Sequence, residues 1–311
     1  MILRFAYIAL SAFFLLGAGC KESKPMANNG RPIVVTTTTM LGDLVRQIAG
    51  DVVDARSIMK PGGDPHLYQP TPQDARIIAS SSLVVTSGLH LEGWIDDLVR
   101  NAGGERPVAV AASRVEPIRM ENSPGGVDPH FWFDLGAWAL ATDEVSEHVV
   151  RLVGPDTAEG ARVLESTARY RSELDRLDAW TRAQLSSVPR EQRVLVTSHD
   201  AFNYFGRAYG LEVIGIQGIS TESEASMADV SKTADLIRER GIKAIFVESS
   251  VNSSAIERIA RDTGIRIGGE LFSDSVGPAG EMETVGGETY DLGTYLGMMK
   301  HNVNTIVEAL K

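Results

Sequence analysis

Cysteine is nearly absent. The 311-residue chain has one, Cys20, so no internal disulfide can form. Histidine is scarce enough, at six residues, for each to be weighed individually. Basic side chains are outnumbered, with 30 Lys and Arg against 41 Asp and Glu and a net charge of −11. That balance argues against a nucleic-acid partner, which would want a basic face. It suits a cation ligand without locating a site. The only long apolar run, residues 5–16, is too short to span a membrane comfortably. Neither a G-x-S-x-G nor an H-E-x-x-H pattern occurs, which removes two common hydrolase signatures.

What is present begins at the N-terminus. Arg4, the apolar run and a small-residue stretch ending at Cys20 have the charge, hydropathy and cleavage pattern of a signal peptide over residues 1–19. Leu16-Gly17-Ala18-Gly19-Cys20 resembles a bacterial lipobox, with Gly17 where leucine is usual. Cys20 is therefore the expected lipidation site. Residues 20–31 read as a polar tether from lipid to domain. The protein is expected outside the cytoplasm, lipid-anchored on a periplasmic or extracellular membrane face.

Past the tether, β-branched runs alternate with helical patterns. In the first half the runs are 33–39, 55–59, 83–87 and 107–111, with helices expected over 41–49, 73–80 and 91–101. In the second half the runs are 193–198, 211–217, 244–248 and 266–271, with helices over 201–209, 226–240 and 253–263. Such alternation implies parallel sheets with right-handed crossovers. Between the halves, residues 156–187 contain no proline. Val163, Thr167, Tyr170, Leu174, Leu177, Thr181 and Leu185 recur there at three- and four-residue steps, a helix stripe. The expected fold is α/β: two lobes, each with a roughly four-stranded parallel sheet, joined by one long rigid helix. The boundaries are 32–154 for the first lobe, 155–189 for the linking helix and 190–311 for the second lobe.

Three histidines stand at strand ends or in the loops after them. His66 and His130 each follow Asp-Pro, in Asp64-Pro65-His66 and Asp128-Pro129-His130. His199 directly follows a strand. Proline fixes φ just before each of the first two histidines and so helps to aim them. Imidazole is a good ligand for divalent transition metals, and parallel α/β sheets bind ligands beyond the carboxyl ends of their strands. His90 lacks the Asp-Pro prefix, while His148 and His301 fall in helical patterns and read as structural. A fourth ligand could come from Glu270 or Asp274, which share one alternation parity and cannot be separated by spacing.

With these residues in hand, the chain resembles the metal-binding receptors of zinc/manganese ABC importers, the TroA-like cluster. The matching segments are GGDPHLYQPTP (62–72), GLHLEGW (88–94), DPHFWFD (128–134), TSHDAFNYFGRAYG (197–210), GISTESEAS (218–226), FVESS (246–250), GGELFSDSVG (268–277) and TYLGMMKHNVNTIVEAL (294–310). The resemblance implies two α/β lobes joined by a long helix, with metal between them. It implies His66, His130, His199 and Asp274 as metal ligands, choosing Asp274 over Glu270. It offers Asp64, Asp128 and Glu248 as groups that orient those ligands.

Three imidazoles and one carboxylate exclude magnesium and calcium, which want oxygen. They suit Zn2+, and Mn2+ would be held more weakly by the same donors. The cargo is expected to be Zn2+ or Mn2+, handed to a membrane permease by a monomeric receptor. The chain is not expected to be an enzyme, and no catalytic residue is assigned. A zinc-dependent hydrolase is the alternative from another class, with Glu248 as base if Asp274 did not bind. A surface adhesin is a further alternative, suggested by location alone.

Overall fold

The computed structural model describes residues 30–120 and 124–311; Cys20 and the expected leader lie outside the described residues. The first lobe holds β1 (Ile33–Thr36), β2 (Asp54–Ser57), β3 (Leu83–Thr86) and β4 (Val108–Val110), all parallel in the order β2-β1-β3-β4. β1 and β3 are buried at every position, as their continuous apolar and threonine runs require of strands covered on both faces. The order reverses between β1 and β3, and the carboxyl ends of strands at such a switch point open onto a crevice.

Around this sheet lie α1 (Thr39–Ala49), α2 (Pro72–Ala79), α3 (Ile95–Asn101) and α4 (Leu135–Val153). α2 starts with a capping box between Thr71 and Asp74 and carries proline in its first turn. α3 begins four residues later than its sequence pattern suggests. Gly88, Leu89 and His90 take left-handed φ values of 88°, 54° and 63°, which no helix accommodates. The buried Glu92 carboxylate turns back to accept from the Ser87 and Gly88 amides, holding that turn.

α5 (Ala158–Ser186) then runs for 29 residues, about 43 Å at 1.5 Å per residue. Thr157 caps it, and its buried face is the stripe of Val163, Thr167, Tyr170, Leu174, Leu177, Thr181 and Leu185, with Gly160. It packs on α1 and α4.

The second lobe pairs β5 (Val194–Thr197) with β6 (Glu212–Gly215), and β7 (Ala244–Glu248) with β8 (Arg266–Leu271), both parallel. β5 lies beside β7; hydrogen-bonded ladders run within each pair, giving two two-stranded sheets here where the first lobe has one four-stranded sheet. The helices of this lobe are α6 (Asn203–Tyr209), α7 (Met227–Arg240), α8 (Ser254–Thr263) and α9 (Tyr295–Leu310). Before α9 comes an antiparallel hairpin that the sequence reading did not anticipate, β9 (Met282–Val285) and β10 (Glu288–Asp291). It turns at Gly286-Gly287, both with positive φ, as a two-residue hairpin loop favours.

The lobes do not have separate cores at their junction. One buried cluster includes Leu44 and Phe131 of the first lobe, Leu174 of α5, and Phe202, Tyr295 and Met298 of the second. Trp138 stacks on Tyr295 with ring centroids 4.5 Å apart, and Phe133 stacks on Phe202 at 4.3 Å. Such pairs each add about 0.5–1.5 kcal/mol beyond their buried area. Polar stitches cross the same boundary. Tyr295 N donates to the buried Asp43 carboxylate of α1 at 2.8 Å, which places an acid at the N-terminus of α9. Tyr204 Oη donates to Asp128 O at 3.1 Å, and Trp132 Nε1 donates to Ser273 O at 2.9 Å.

Candidate metal centre

The carboxyl ends of the strands in both lobes face each other, and four side chains meet there. His66 Nε2 lies 3.3 Å from His130 Nε2, which lies 3.4 Å from His199 Nε2. Asp274 Oδ1 is 3.7 Å from His130 Nε2, and its Oδ2 is 3.6 Å from His199 Nε2. One donor atom from each of the four residues falls within 4.8 Å of every other. Donors about 2.0–2.1 Å from a zinc ion at tetrahedral angles stand about 3.3 Å apart, so the imidazole spacing fits an ion at the centre. His130, His199 and Asp274 are fully buried, whereas His66 is half-buried. His66 therefore stands on the solvent side.

Each donor is aimed by its neighbours. Asp128 Oδ1 accepts from the His130 backbone N–H at 2.9 Å and lies 2.8 Å from His130 Nδ1, leaving Nε2 for the centre. Glu248 treats His199 similarly. Its Oε1 accepts from the His199 backbone N–H at 2.9 Å, and its Oε2 lies 2.6 Å from the ring Nδ1 in an ion contact that is poorly aligned as a hydrogen bond. Asp64 differs. Its Oδ1 accepts from the His66 backbone N–H at 2.8 Å, and its Oδ2 accepts from Thr221 Oγ1 of the second lobe at 2.5 Å. It holds the main chain of the loop and ties that loop across the cleft. The loop is also held by Trp94, whose Nε1 donates to Pro65 O at 3.0 Å. Ser250 Oγ donates to Asp274 Oδ2 at 3.0 Å, while Oδ1 is buried with no hydrogen-bond partner.

The electrostatics separate His66 from His199. Burial drives the His66 pKa down to about 3; the His130 and His199 charges add to this, and the Asp274 carboxylate opposes it. The ring is thus neutral at physiological pH. For His199, burial would lower the pKa, but the Glu248 and Asp274 carboxylates outweigh it and raise the pKa well above the ordinary value. For Asp274, burial would favour the neutral acid, but His199, then His130 and His66, hold the carboxyl below its usual range. The metal-free centre stores positive charge on His199 against a negative Asp274.

The remaining candidates lie elsewhere. Glu270 is exposed within β8, whereas Asp274 lies beyond the strand's end at Leu271, where the chain bends. His301 is pinned between Glu283 Oε2 and Glu270 O, at 2.9 Å from each, and joins the hairpin to β8. His148 Nε2 lies 3.2 Å from Glu144 Oε1 on α4. His90 is exposed, and its ring occupies the space a Cβ at Gly125 would need. Sequence reasoning did not single out Trp132, Tyr204, Thr221, Ser250 or Asn203. Their polar atoms act across lobes or between loops, and no local spacing announces such contacts.

Comparison with known proteins was made against this geometry. Residues 34–309 match the family described as "ZnuA: Zinc-uptake complex component A periplasmic". The chain is 42% identical over 295 residues to the zinc-binding protein TroA of Treponema pallidum, covering 93% of this chain and 92% of that protein. It is 37% identical over 313 residues to the manganese-binding lipoprotein MntA of Bacillus subtilis, covering 98% of each. It is 30% identical over 313 residues to the manganese ABC transporter substrate-binding lipoprotein PsaA of Streptococcus pneumoniae, covering 97% of each. The solved structure of the Treponema pallidum periplasmic zinc-binding protein TroA superposes with a TM-score of 0.83 at 39% identity, covering 90% of this chain and 99% of that one.

Proposed function

Because the chain belongs to the family of periplasmic zinc-uptake components, we propose that it is the extracytoplasmic solute-binding protein of an ABC importer, capturing one zinc or manganese ion between its lobes and delivering it to a membrane permease. The observation that carries this reading is the convergence of four donors, two from each lobe, in a buried pocket. His66 and His130 would hold the ion from the first lobe, and His199 and Asp274 from the second. Asp128 and Glu248 would keep the His130 and His199 rings oriented. Asp64 would fix the loop that carries His66.

Capture is chemically simple here. His66 offers a neutral nitrogen, His130 is oriented by Asp128, Asp274 brings a negative charge, and His199 gives up its Nε2 proton as the ion arrives. A receptor is favoured over a hydrolase by the four-donor set, which leaves no open position of the kind catalytic zinc keeps. Glu248, the only candidate base in that alternative, is already engaged with the His199 backbone and ring. Relatives named as lipoproteins support Cys20 as the lipid attachment point, which would hold the receptor on a periplasmic or extracellular membrane face; we take it to act there as a monomer. Lobes over 32–154 and 190–311, linked through 155–189, remain our division of the chain.

Element-resolved mass spectrometry tests the reading. The stripped protein is offered zinc and manganese together at controlled free concentrations. About one equivalent of either metal is expected from a single four-donor site. Retention of neither metal would remove the proposed function.

A further inference from the structure

At the lobe boundary, one amide sits between two carboxylates. Asn203 Nδ2 is 3.1 Å from Asp128 Oδ2 of the first lobe and 2.9 Å from Asp200 Oδ1 of the second. An amide NH2 has two hydrogens, and here each has an acidic acceptor. The reverse orientation would point the amide oxygen at two carboxylates, so the nitrogen must face inward. Asn203 is also the first residue of α6, where a helix needs acceptors for its free N–H groups. This side chain donates to the two acids instead of accepting from helix N–H groups, so capping does not explain it.

The two acids are neighbours of the metal donors. Asp128 spends its other oxygen on His130, with Nδ1 at 2.8 Å. Asp200 follows His199 in the chain, and its backbone is held tightly. Asp200 N donates to Gly218 O at 3.2 Å, and a Cβ at Gly215 would lie 2.5 Å from that nitrogen. Without a donor between them, the two carboxylates would face each other across the boundary at a cost set by a low-dielectric site.

We propose that Asn203 is a positioning residue for metal capture: by bridging Asp128 and Asp200 it fixes the His130 ring of one lobe relative to the His199 turn of the other. The inference rests on the four-donor reading above. It adds a residue that touches no metal and acts only through Asp128 and Asp200. Groups bonded directly to metal ligands are typically worth about 10–100-fold in affinity; Asn203 acts one bond further out, through Asp128, so the low end of that range is expected.

The test compares Asn203→Leu, which keeps the size and removes the donor, with His130→Ala, in the purified protein. Zinc affinity, the melting temperature of the metal-free protein and the visible spectrum of the cobalt-loaded protein are read for each. The expected result for Asn203→Leu is a loss of about tenfold in zinc affinity. An altered cobalt spectrum should accompany it, and the metal-free melting temperature should fall modestly as the two carboxylates lose their shared donor. A merely structural role would lower the melting temperature and leave the cobalt spectrum of folded protein unchanged, which would overturn the proposal. Parent-like affinity in Asn203→Leu, with loss in His130→Ala, would overturn it while leaving the four-donor reading intact. Parent-like affinity in His130→Ala would overturn both. If Asn203→Leu does not fold, Asn203→Ser and Asn203→Ala decide. Serine retains one donor and should bind zinc more tightly than alanine; equal affinities would overturn the proposal.

Discussion

His66 and His301 are both histidines within 2.9 Å of a polar neighbour or 3.3 Å of another ring nitrogen, yet their surroundings predict opposite behaviour. His66 points its Nε2 at two other imidazoles and a carboxylate. His301 has both nitrogens committed to oxygen acceptors. Replacing His66 or Asp274 with alanine should weaken zinc binding by orders of magnitude in a competition titration, while His301→Ala should leave it near the parental value. The reverse order would overturn the ligand assignment. A second expectation concerns protons. The raised pKa of His199 means that its metal-free ring is protonated at pH 7, so capture should release about one proton. Apparent affinity should then rise with pH up to the His199 pKa. Calorimetric titration in buffers of different ionisation enthalpy measures this, and a binding heat independent of buffer would contradict it. At this scale the sequence was partly legible. Repeated Asp-Pro-His marked two residues the structure brings together, because proline stiffness is local. Glu270 and Asp274 could not be told apart, because alternation holds only within a strand and β8 stops at Leu271.

Among the elements, α5 was the most legible. Every residue of its seven-membered stripe is buried, because a 29-residue helix repeats its period often enough for the pattern to stand out. Leu174 is 1% exposed and lies within the core cluster shared by both lobes. Leu174→Ala should cost about 2–5 kcal/mol, from lost burial and the cavity left behind, measured by denaturant unfolding of the metal-free protein. A cost below about 1 kcal/mol would mean that the site collapses on substitution. The β9–β10 hairpin escaped notice for a physical reason: its strands are four residues each and largely exposed, so burial imposes no alternation on them. The late start of α3 was hidden because it depends on Glu92 reaching back to the backbone before it.

For the whole molecule, the alternating pattern specified two parallel-sheet lobes and a connecting helix, and the structure agrees. What it could not reveal was how firmly the lobes are joined. Trp138 on Tyr295, Phe133 on Phe202, Asp43 to the start of α9 and Trp132 to Ser273 all span the boundary. On the His66 side, polar ties such as Asp64 to Thr221 and Gly62 N to Ser275 Oγ link loops across the cleft. Metal capture should therefore change the small-angle scattering radius very little, with movement confined to the loops around His66. A large metal-dependent compaction would refute this. The shared core also binds the fates of the two halves. A destabilising change within that shared cluster, or a protease cut through α5, opens apolar surface belonging to both, so neither half should outlast the other as a folded remnant.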